Sequence, residues 1–332
     1  MEVAVMRVAV LGAGAVGCYF GGLLAWAGHD VLFVGRKPHV DAVNARGLIL
    51  ETTTFDATVA ARASTQTHAI DRPDLVLVCV KSADTPAAAE ALRPHLATDA
   101  RVISFQNGVG NAGGLAEALG RPVLAGMVAF NVARDGARFH QGTEGDLHVA
   151  RDPALPLDLF ARAGLPLRLH DDMTPVLWAK LMLNLNNAVN ALSGLPLQAQ
   201  LSDRGYRRCL ALAQDEALGL CAQAGIRLAR LSPLPAGWIP RVLRLPDPLF
   251  RALAGRMLRI DPQARSSMAD DLAAGRATEI DWINGEVCRL AERLGGQAPV
   301  NRTLTTLMHQ AEATPAPRRW SAGDLLGALR AS

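Results

Sequence analysis

The stretch Val8-Ala9-Val10-Leu11-Gly12-Ala13-Gly14-Ala15-Val16-Gly17 decides the fold. An apolar run of β-type leads straight into Gly-x-Gly-x-x-Gly. A helical segment, Cys18 to Ala27, follows and ends at Gly28-His29-Asp30, and then comes a second apolar run, Val31-Leu32-Phe33-Val34. Strand, glycine turn, helix and strand within about 30 residues is the setting in which this pattern binds a dinucleotide. Gly12 permits a sharp turn, Gly14 lets a pyrophosphate approach the backbone, and Gly17 lets the helix pack on the strand. Free N–H groups at the helix start face the phosphates. Gly12, Ala13, Gly14, Ala15, Val16 and Gly17 are therefore the expected cofactor loop. A glycine-rich strand–helix turn without a ligand is the competing reading.

The second strand ends in Gly35-Arg36-Lys37, with no acid before Asp41. At this place an acid accepts hydrogen bonds from the ribose of NAD, whereas an arginine suits a 2′-phosphate. A guanidinium grips a phosphate by charge-assisted, bidentate contact, and a carboxylate would repel it. The expected cofactor is NADP(H), with Arg36 at the 2′-phosphate. Otherwise Arg36 is a surface arginine.

Further along, Leu48 to Leu50 and Phe55 to Ala60 are short strands, and Asp74 to Val80 is a buried strand ending in Lys81-Ser82. Ligands of doubly wound sheets bind beyond the carboxyl ends of strands, so Lys81 is placed to meet cofactor or substrate. Pro86 to Arg93 is a helix capped by Thr85. Arg101 to Phe105 is a strand that runs into Gln106-Asn107-Gly108-Val109-Gly110. Asn107 is either a turn residue or a donor to nicotinamide or substrate. Pro122 to Phe130 adds a strand, and Phe139 to Gly142 leads to Leu147 to Val149 as a hairpin. The polar run Asp171-Asp172-Met173-Thr174-Pro175 divides the chain into residues 1–172 and 173–332. Beyond it the pattern is helical: Val176 to Leu192, Asp203 to Ala224, an arginine-rich stretch from Trp238 to Ile260, Ser267 to Ala273, Glu279 to Leu294 and Val300 to Glu312. Leu231 to Pro248 carries five prolines, which predicts a loop with short helical pieces. The fold class is α/β: a Rossmann-type doubly wound sheet domain followed by an all-α C-terminal domain.

The 332 residues carry a net charge of only +3, with basic residues scattered, so nucleic acid is not an expected partner. The arginines at Arg204 to Arg208 and Arg241 to Arg259 read as solvated helix faces. The five cysteines are widely spaced and lack a Cys-x-x-Cys pair, which points to free thiols in a reducing compartment and to no metal site. No apolar run reaches the roughly 20 residues of a membrane span, and the first apolar run is already a strand of the glycine motif, not a leader. Met6 just before that strand marks Met1 to Val5 as an extension or a misplaced start. The expected location is cytoplasmic.

In the strongly apolar helix from Trp178 to Asn190, Lys180, Asn184 and Asn187 share one face at i, i+4 and i+7. Desolvation lowers a lysine's pKa and makes it a better proton donor at neutral pH. A snorkelling lysine with an asparagine ladder is the structural alternative. A second cluster, Ser266-Ser267-Met268 and Thr278-Glu279-Ile280-Asp281, contains an acid favoured by a helix start, which also suits a substrate-binding carboxylate.

The glycine loop, Arg36, Lys81, Asn107-Gly108-Val109-Gly110, Trp178-Ala179-Lys180-Leu181 with Asn184, Ser266-Ser267-Met268 and Thr278-Glu279-Ile280-Asp281, in this order, resemble the ketopantoate reductase (2-dehydropantoate 2-reductase) family. The resemblance implies hydride transfer from NADPH to the C2 ketone of 2-dehydropantoate, giving pantoate for coenzyme A synthesis. It makes Lys180 the proton donor. Glu279 becomes a catalytic residue that binds the substrate hydroxyl and orients the cofactor, Ser267 holds the substrate carboxylate, and Asn107 bridges cofactor and substrate. Arg36, Lys81 and the backbone of Val132 contact NADP. In the family a second asparagine follows the lysine by eight residues, where this chain has Ala188, and Asn190 to Ser193 lies two residues late. Either Asn184 and Asn190 serve through a local bulge, or Asn186 and Asn190 are the pair, since a two-residue slip turns a helix by about 200°. Asn184 and Asn190 are the expected substrate amides. A paralogous reductase of another 2-oxo acid, and a non-catalytic NADP-binding regulator, are the alternatives. A homodimer is a further expectation.

Overall fold

The computed structural model describes residues 5–143, 145–255 and 261–332. The proposed extension, apart from Val5, and the end of the arginine-rich stretch at 256–260 lie outside the described residues. The chain divides into two compact units, Met1–Met173 and Thr174–Ser332.

The first unit opens with β1 (Arg7–Leu11), α1 (Ala15–Trp26) and β2 (Asp30–Val34), then α2 (Lys37–Arg46), β3 (Leu48–Glu51), β4 (Asp56–Val59) and β5 (Arg62–Ser64). It continues through β6 (Leu75–Val78), α3 (Thr85–Leu92), β7 (Arg101–Ser104), α4 (Asn111–Leu119) and β8 (Leu124–Val128). Then come β9 (Val132–Asp135), β10 (Arg138–Gln141), β11 (Leu147–Ala150), α5 (Leu157–Arg162) and β12 (Leu167–His170). Among the described residues the main sheet has the order β12-β11-β8-β7-β6-β1-β2-β5. The six strands from β5 to β8 run parallel, and β11 enters antiparallel to β8. The chain starts at β1, builds outward to β5, then crosses to β6 on the other flank. That reversal leaves a crevice at the carboxyl ends of β1 and β6.

Period-two alternation explains the layering. Val8 and Val10 turn to one face and join Phe20, Phe33, Leu48 and Leu50 under α1. Ala9 and Leu11 turn to the other and join Val76, Val78, Ala89, Leu92 and Leu115 under α3 and α4. Each large side chain so buried contributes roughly 1.5–3 kcal/mol. Gly12 sits at φ 105° with its would-be Cβ 2.6 Å from the backbone of Cys79, so only glycine turns the chain there. A Cβ on Gly17 would stand 2.2 Å from the Gly12 carbonyl oxygen, which is how closely α1 lies on the strand.

The expected hairpin of Phe139 to Val149 does not form. β10 and β11 belong to different sheets: β10 pairs with β9 and β3 in a sheet ordered β4-β3-β10-β9. The hairpin is β9–β10, closed by Gly136 at φ 58°. Asp135-Gly136 is a strong turn signal, and it sits one strand earlier than the expected turn.

The second unit comprises α6 (Thr174–Asn184), α7 (Asn186–Ser193), α8 (Leu197–Ser202), α9 (Arg204–Gln223), α10 (Ile239–Leu243) and α11 (Asp247–Ala254). It ends with α12 (Ser267–Ala273), α13 (Ile280–Arg293), α14 (Pro299–Glu312) and α15 (Ala322–Arg330). The helix expected over Val176 to Leu192 is interrupted at Leu185. α15 is a helix that the periodicity reading left out. Ser321 caps it, its hydroxyl accepting from the Asp324 N–H. Arg207, read as part of a solvated face, is wholly buried. Its guanidinium donates to the carbonyls of Leu201, Ser202, Leu243 and Leu245 and to Asp247, and lies over the Phe250 ring at 4.1 Å. It thereby ties α8, α10 and α11 to α9. No helix of the described residues is long and apolar enough to cross a membrane. All five cysteines are free thiols.

Candidate functional site

In the first unit the predicted residues follow the carboxyl ends of four adjacent parallel strands. The glycine loop follows β1, Arg36 follows β2, Lys81 follows β6 and Asn107 follows β7. Parallel strands share one polarity, so residues as far apart in sequence as Gly12 and Asn107 arrive at one edge of the sheet.

The loop itself is well defined. The N–H groups of Gly12 and Ala13 donate to the Val34 carbonyl at 2.9 and 3.1 Å, which fastens it to β2. The His39 ring donates through Nδ1 to the Ala13 carbonyl at 2.8 Å and so ties α2 to the loop. Among the described residues, no backbone carbonyl accepts from the N–H groups of Ala15, Val16 or Gly17. Such groups carry the positive end of the helix dipole. A Cβ at Gly14 would meet nothing within 4 Å, so the space in front of this backbone is open. Donors without partners beside an open glycine fit the phosphates of a dinucleotide.

Arg36 is exposed and makes no ion pair among the described residues. Its neighbour Lys37 is engaged with Asp41 at 2.9 Å. Arg36 therefore keeps its charge for a ligand, while Lys37 is already neutralised in part.

The turns after β6 and β7 are knitted by small polar side chains, among them Thr85, which opens α3 and is not its cap. Ser82 donates to the Asn107 carbonyl at 3.0 Å and accepts from Asn111 at 3.0 Å. Thr85 donates to the Ser82 carbonyl at 2.8 Å, and Gln106 donates to Thr85 at 2.8 Å and accepts from Ser104 at 2.9 Å. This buried network fixes the two turns that carry Lys81 and Asn107. The available signal was a run of small polar residues directly after apolar strands. Val132 is placed differently. It opens β9 in the four-stranded sheet, paired with Gln141, not at a carboxyl end of the main sheet.

In the second unit Lys180 lies in α6, between Ala179 and Leu181, which are buried. It retains some surface, but burial holds its ammonium pKa below the ordinary 10.5. Among the described residues it makes no salt bridge. Asn184, one turn on, is half-buried.

The break at Leu185 sorts the asparagines. Asn186 exchanges two amide hydrogen bonds with Gln200, both at 3.2 Å. Asn190 is wholly buried. It donates to the Leu195 carbonyl at 2.9 Å and accepts from the Ser266 N–H at 2.9 Å. Asn190, expected from the sequence as a substrate amide, here holds α7 to the segment before α12. The Asn187 carbonyl accepts from the Ser266 hydroxyl at 3.2 Å, which leaves the Asn187 side chain outside that contact.

The same bonds explain the serine pair. Ser266 is buried and caps α12, accepting from the Ala269 N–H at 3.2 Å. Ser267, the next residue, is exposed at the first position of the helix. Glu279 is half-buried at the N-cap position of α13, which begins at Ile280, one residue later than the helix expected from the sequence. Its surroundings are braced. The Thr278 N–H donates to Glu312 at 2.8 Å, and His309 bridges Glu312 at 3.1 Å and Asp281 at 3.0 Å. Burial works against the charged His309, but the hydrogen bonds it donates to Glu312 and Asp281 outweigh this and raise its pKa above 6.5. Among the described residues no group of three or more His, Cys, Asp or Glu could hold a metal ion.

Known proteins share this fold. The family "Ketopantoate reductase PanE/ApbA" matches residues 8–153, and "Ketopantoate reductase PanE/ApbA C terminal" matches residues 172–312. The chain belongs to the ketopantoate reductase family. A 2-dehydropantoate 2-reductase of Pyrococcus abyssi is 29% identical over 323 residues, covering 93% of this chain and 98% of its own. The crystal structure of a PanE/ApbA family ketopantoate reductase from Ralstonia eutropha JMP134 superposes with a TM-score of 0.80 at 37% identity, covering 93% of this chain and 99% of its own. The fold is also that of D-mandelate dehydrogenase, solved with NADH and anilino(oxo)acetate, at a TM-score of 0.78 and 20% identity, over 93% and 99% of the two chains. As a ketopantoate reductase family member the chain has an oxidoreductase's Rossmann domain and the family's helical C-terminal domain.

Proposed function

We propose that this chain reduces 2-dehydropantoate to pantoate with NADPH. The observation that carries the reading is Lys180: a half-buried ammonium without an acid partner among the described residues, its pKa lowered by burial, with Asn184 one turn on. A buried lysine with no partner is unfavourable for the fold alone. It is well suited to give a proton to an oxygen that gains negative charge.

The first unit supports the cofactor half of the reading. The open backbone at Gly14 and the unused N–H groups of Ala15, Val16 and Gly17 would hold a pyrophosphate. Arg36 would hold the 2′-phosphate, and Lys81, Asn107 and the Val132 backbone would contact further cofactor groups. Bound NADPH supplies the hydride that the C2 carbon of the substrate takes up. In the second unit Lys180 Nζ hydrogen-bonds the ketone oxygen and passes it a proton as the carbonyl becomes an alcohol. Asn184 orients that oxygen's neighbours. Ser267, exposed beside the capping Ser266, donates to the substrate carboxylate, and Glu279 accepts from the substrate hydroxyl and orients the cofactor. Asn190 enters this scheme as the residue that positions Ser266 and hence Ser267. A cytoplasmic homodimer belongs to the same reading.

A second reading is a paralogous reductase acting on another 2-oxo acid. It is favoured by Ala188, wholly buried where the family carries a substrate amide, and by the commitment of Asn186 and Asn190 to the fold. NADPH oxidation followed by absorbance with 2-dehydropantoate and a panel of branched and aromatic 2-oxo acids decides between them. The first reading is expected to give the highest kcat/KM with 2-dehydropantoate. A different best substrate favours the second, and no turnover of any 2-oxo acid sinks both.

A further inference from the structure

Arg204, Arg208, Arg244 and Arg330, with Leu212 and Leu326, line a cavity of about 210 Å³ in the helical unit. None of them has a part in the reaction above. The sequence places them up to 126 positions apart, in three separate segments, of which those around Arg204 and Arg244 read as solvated helix faces. The fold gathers them from the start of α9, the turn after α10 and the last residue of α15.

Their charges are only partly answered. Arg244 pairs with Asp215. Arg204 donates through Nε to the Arg244 carbonyl at 2.9 Å, a neutral acceptor that orients the guanidinium and leaves its charge. Arg208 and Arg330 make no ion pair or side-chain hydrogen bond among the described residues. Asp203 is close in sequence, and its carboxylate caps α9 by accepting from the Gly205 N–H at 2.7 Å. The first turn of this 20-residue helix contains no acid. Its cations therefore stand at the end where the dipole disfavours them. Mutual repulsion adds to this, and it grows beside the apolar wall of Leu212 and Leu326.

We propose that this pocket binds a compact oxyanion carrying two or more negative charges. Guanidinium forks match phosphate and carboxylate oxygens by paired hydrogen bonds. The volume lies below the roughly 300–1,000 Å³ of sites for drug-sized ligands, so the occupant is a small anion or the charged end of a larger one. Binding bridges α9, α10 and α15.

The test uses the full chain, with pyrophosphate and citrate as probes against sodium chloride of matched ionic strength. Calorimetric titration is run on the wild type, on an Arg208→Gln/Arg330→Gln variant and on Arg36→Asp. The last removes the 2′-phosphate residue proposed for the cofactor. Saturable pyrophosphate binding is expected in the wild type and in Arg36→Asp, weakened at least tenfold in the double variant. Hydrogen exchange of the wild type is expected to slow over 204–212 and 322–330 when pyrophosphate is added. Equal binding of citrate makes the site a reader of charge, and preference for pyrophosphate makes it a phosphate site; both support the proposal. Unchanged affinity in the double variant, an effect reproduced by sodium chloride, or no exchange protection over those segments overturns it. The exchange measurement stands even if the double variant does not fold.

Discussion

Gly14→Ala and Gly17→Ala are the same chemical change three residues apart, and the structure assigns them opposite consequences. At Gly17 a Cβ would lie 2.2 Å from the Gly12 carbonyl oxygen and 3.0 Å from Val10 Cγ1. Carbon–oxygen contacts do not close below about 3.3 Å, so α1 must move off β1 by about 1 Å. Overpacking of this kind costs about 1–3 kcal/mol. At about 2–4 °C per kcal/mol for a unit of this size, melting should fall by about 2–12 °C. At Gly14 a Cβ meets nothing within 4 Å, and φ −87°, ψ −167° is open to alanine. Loss of a favourable N-cap residue costs about 1 kcal/mol or less, offset by about 0.4–1 kcal/mol of unfolded-state entropy. Gly14→Ala should therefore melt with the wild type. Its added methyl would stand in the space proposed for the pyrophosphate, and NADPH affinity should drop at least tenfold, or about 1.4 kcal/mol. Thermal melts and NADPH fluorescence titration read the two effects separately. Wild-type NADPH affinity in a folded Gly14→Ala protein would refute the cradle, and a Gly17→Ala protein as stable as the wild type would refute the packing argument.

Lys180→Ala should lower kcat by about 10²–10⁴-fold, the range for a general acid, while the Kd for NADPH stays within about twofold; equal turnover removes Lys180 from the chemistry. Because only the protonated amine donates and burial lowers its pKa, kcat should fall as pH rises through a value below 10.5. In the same pH region the unfolded chain binds more protons than the folded one, so stability should rise with pH there. Lys180→Met should flatten that rise in urea titrations run across the alkaline range. Arg36→Asp should shift cofactor preference from NADPH toward NADH in paired kcat/KM measurements, and an unchanged ratio excludes Arg36. Asn190→Ala leaves the buried Ser266 N–H without its acceptor, which should cost about 1–3 kcal/mol in urea unfolding; a neutral effect would contradict the bracing role given to this amide.

How much of this was legible in the sequence follows from the range of the forces involved. The glycine loop, Arg36, Lys81 and Asn107 were readable because alternating apolar runs mark where strands end, and parallel strands bring their ends to one edge. The buried Arg207 and the fate of Asn186 and Asn190 were not. Their partners lie 14 to 76 residues away, at Gln200, Asp247 and Ser266, and only the folded chain selects them. The misplaced hairpin is a different failure. Asp135-Gly136 carries the turn signal, while the apolar residues around Phe139 and Leu147 suggest a pairing that the fold shares out between two different sheets.

The interruption at Leu185 separates two jobs that a continuous helix would couple. α6 holds Lys180 and Asn184. α7, held by Asn186 to Gln200 and by Asn190 to Ser266, belongs to the frame. Inserting two residues in an unbroken helix would rotate everything downstream by about 200° and scatter the bundle's contacts. With a joint in the backbone, the added length is absorbed locally, so Lys180 keeps its orientation and α7 keeps its register. The helix that carries Lys180 can thus change length or tilt without the α7 frame being rebuilt, at little risk to folding.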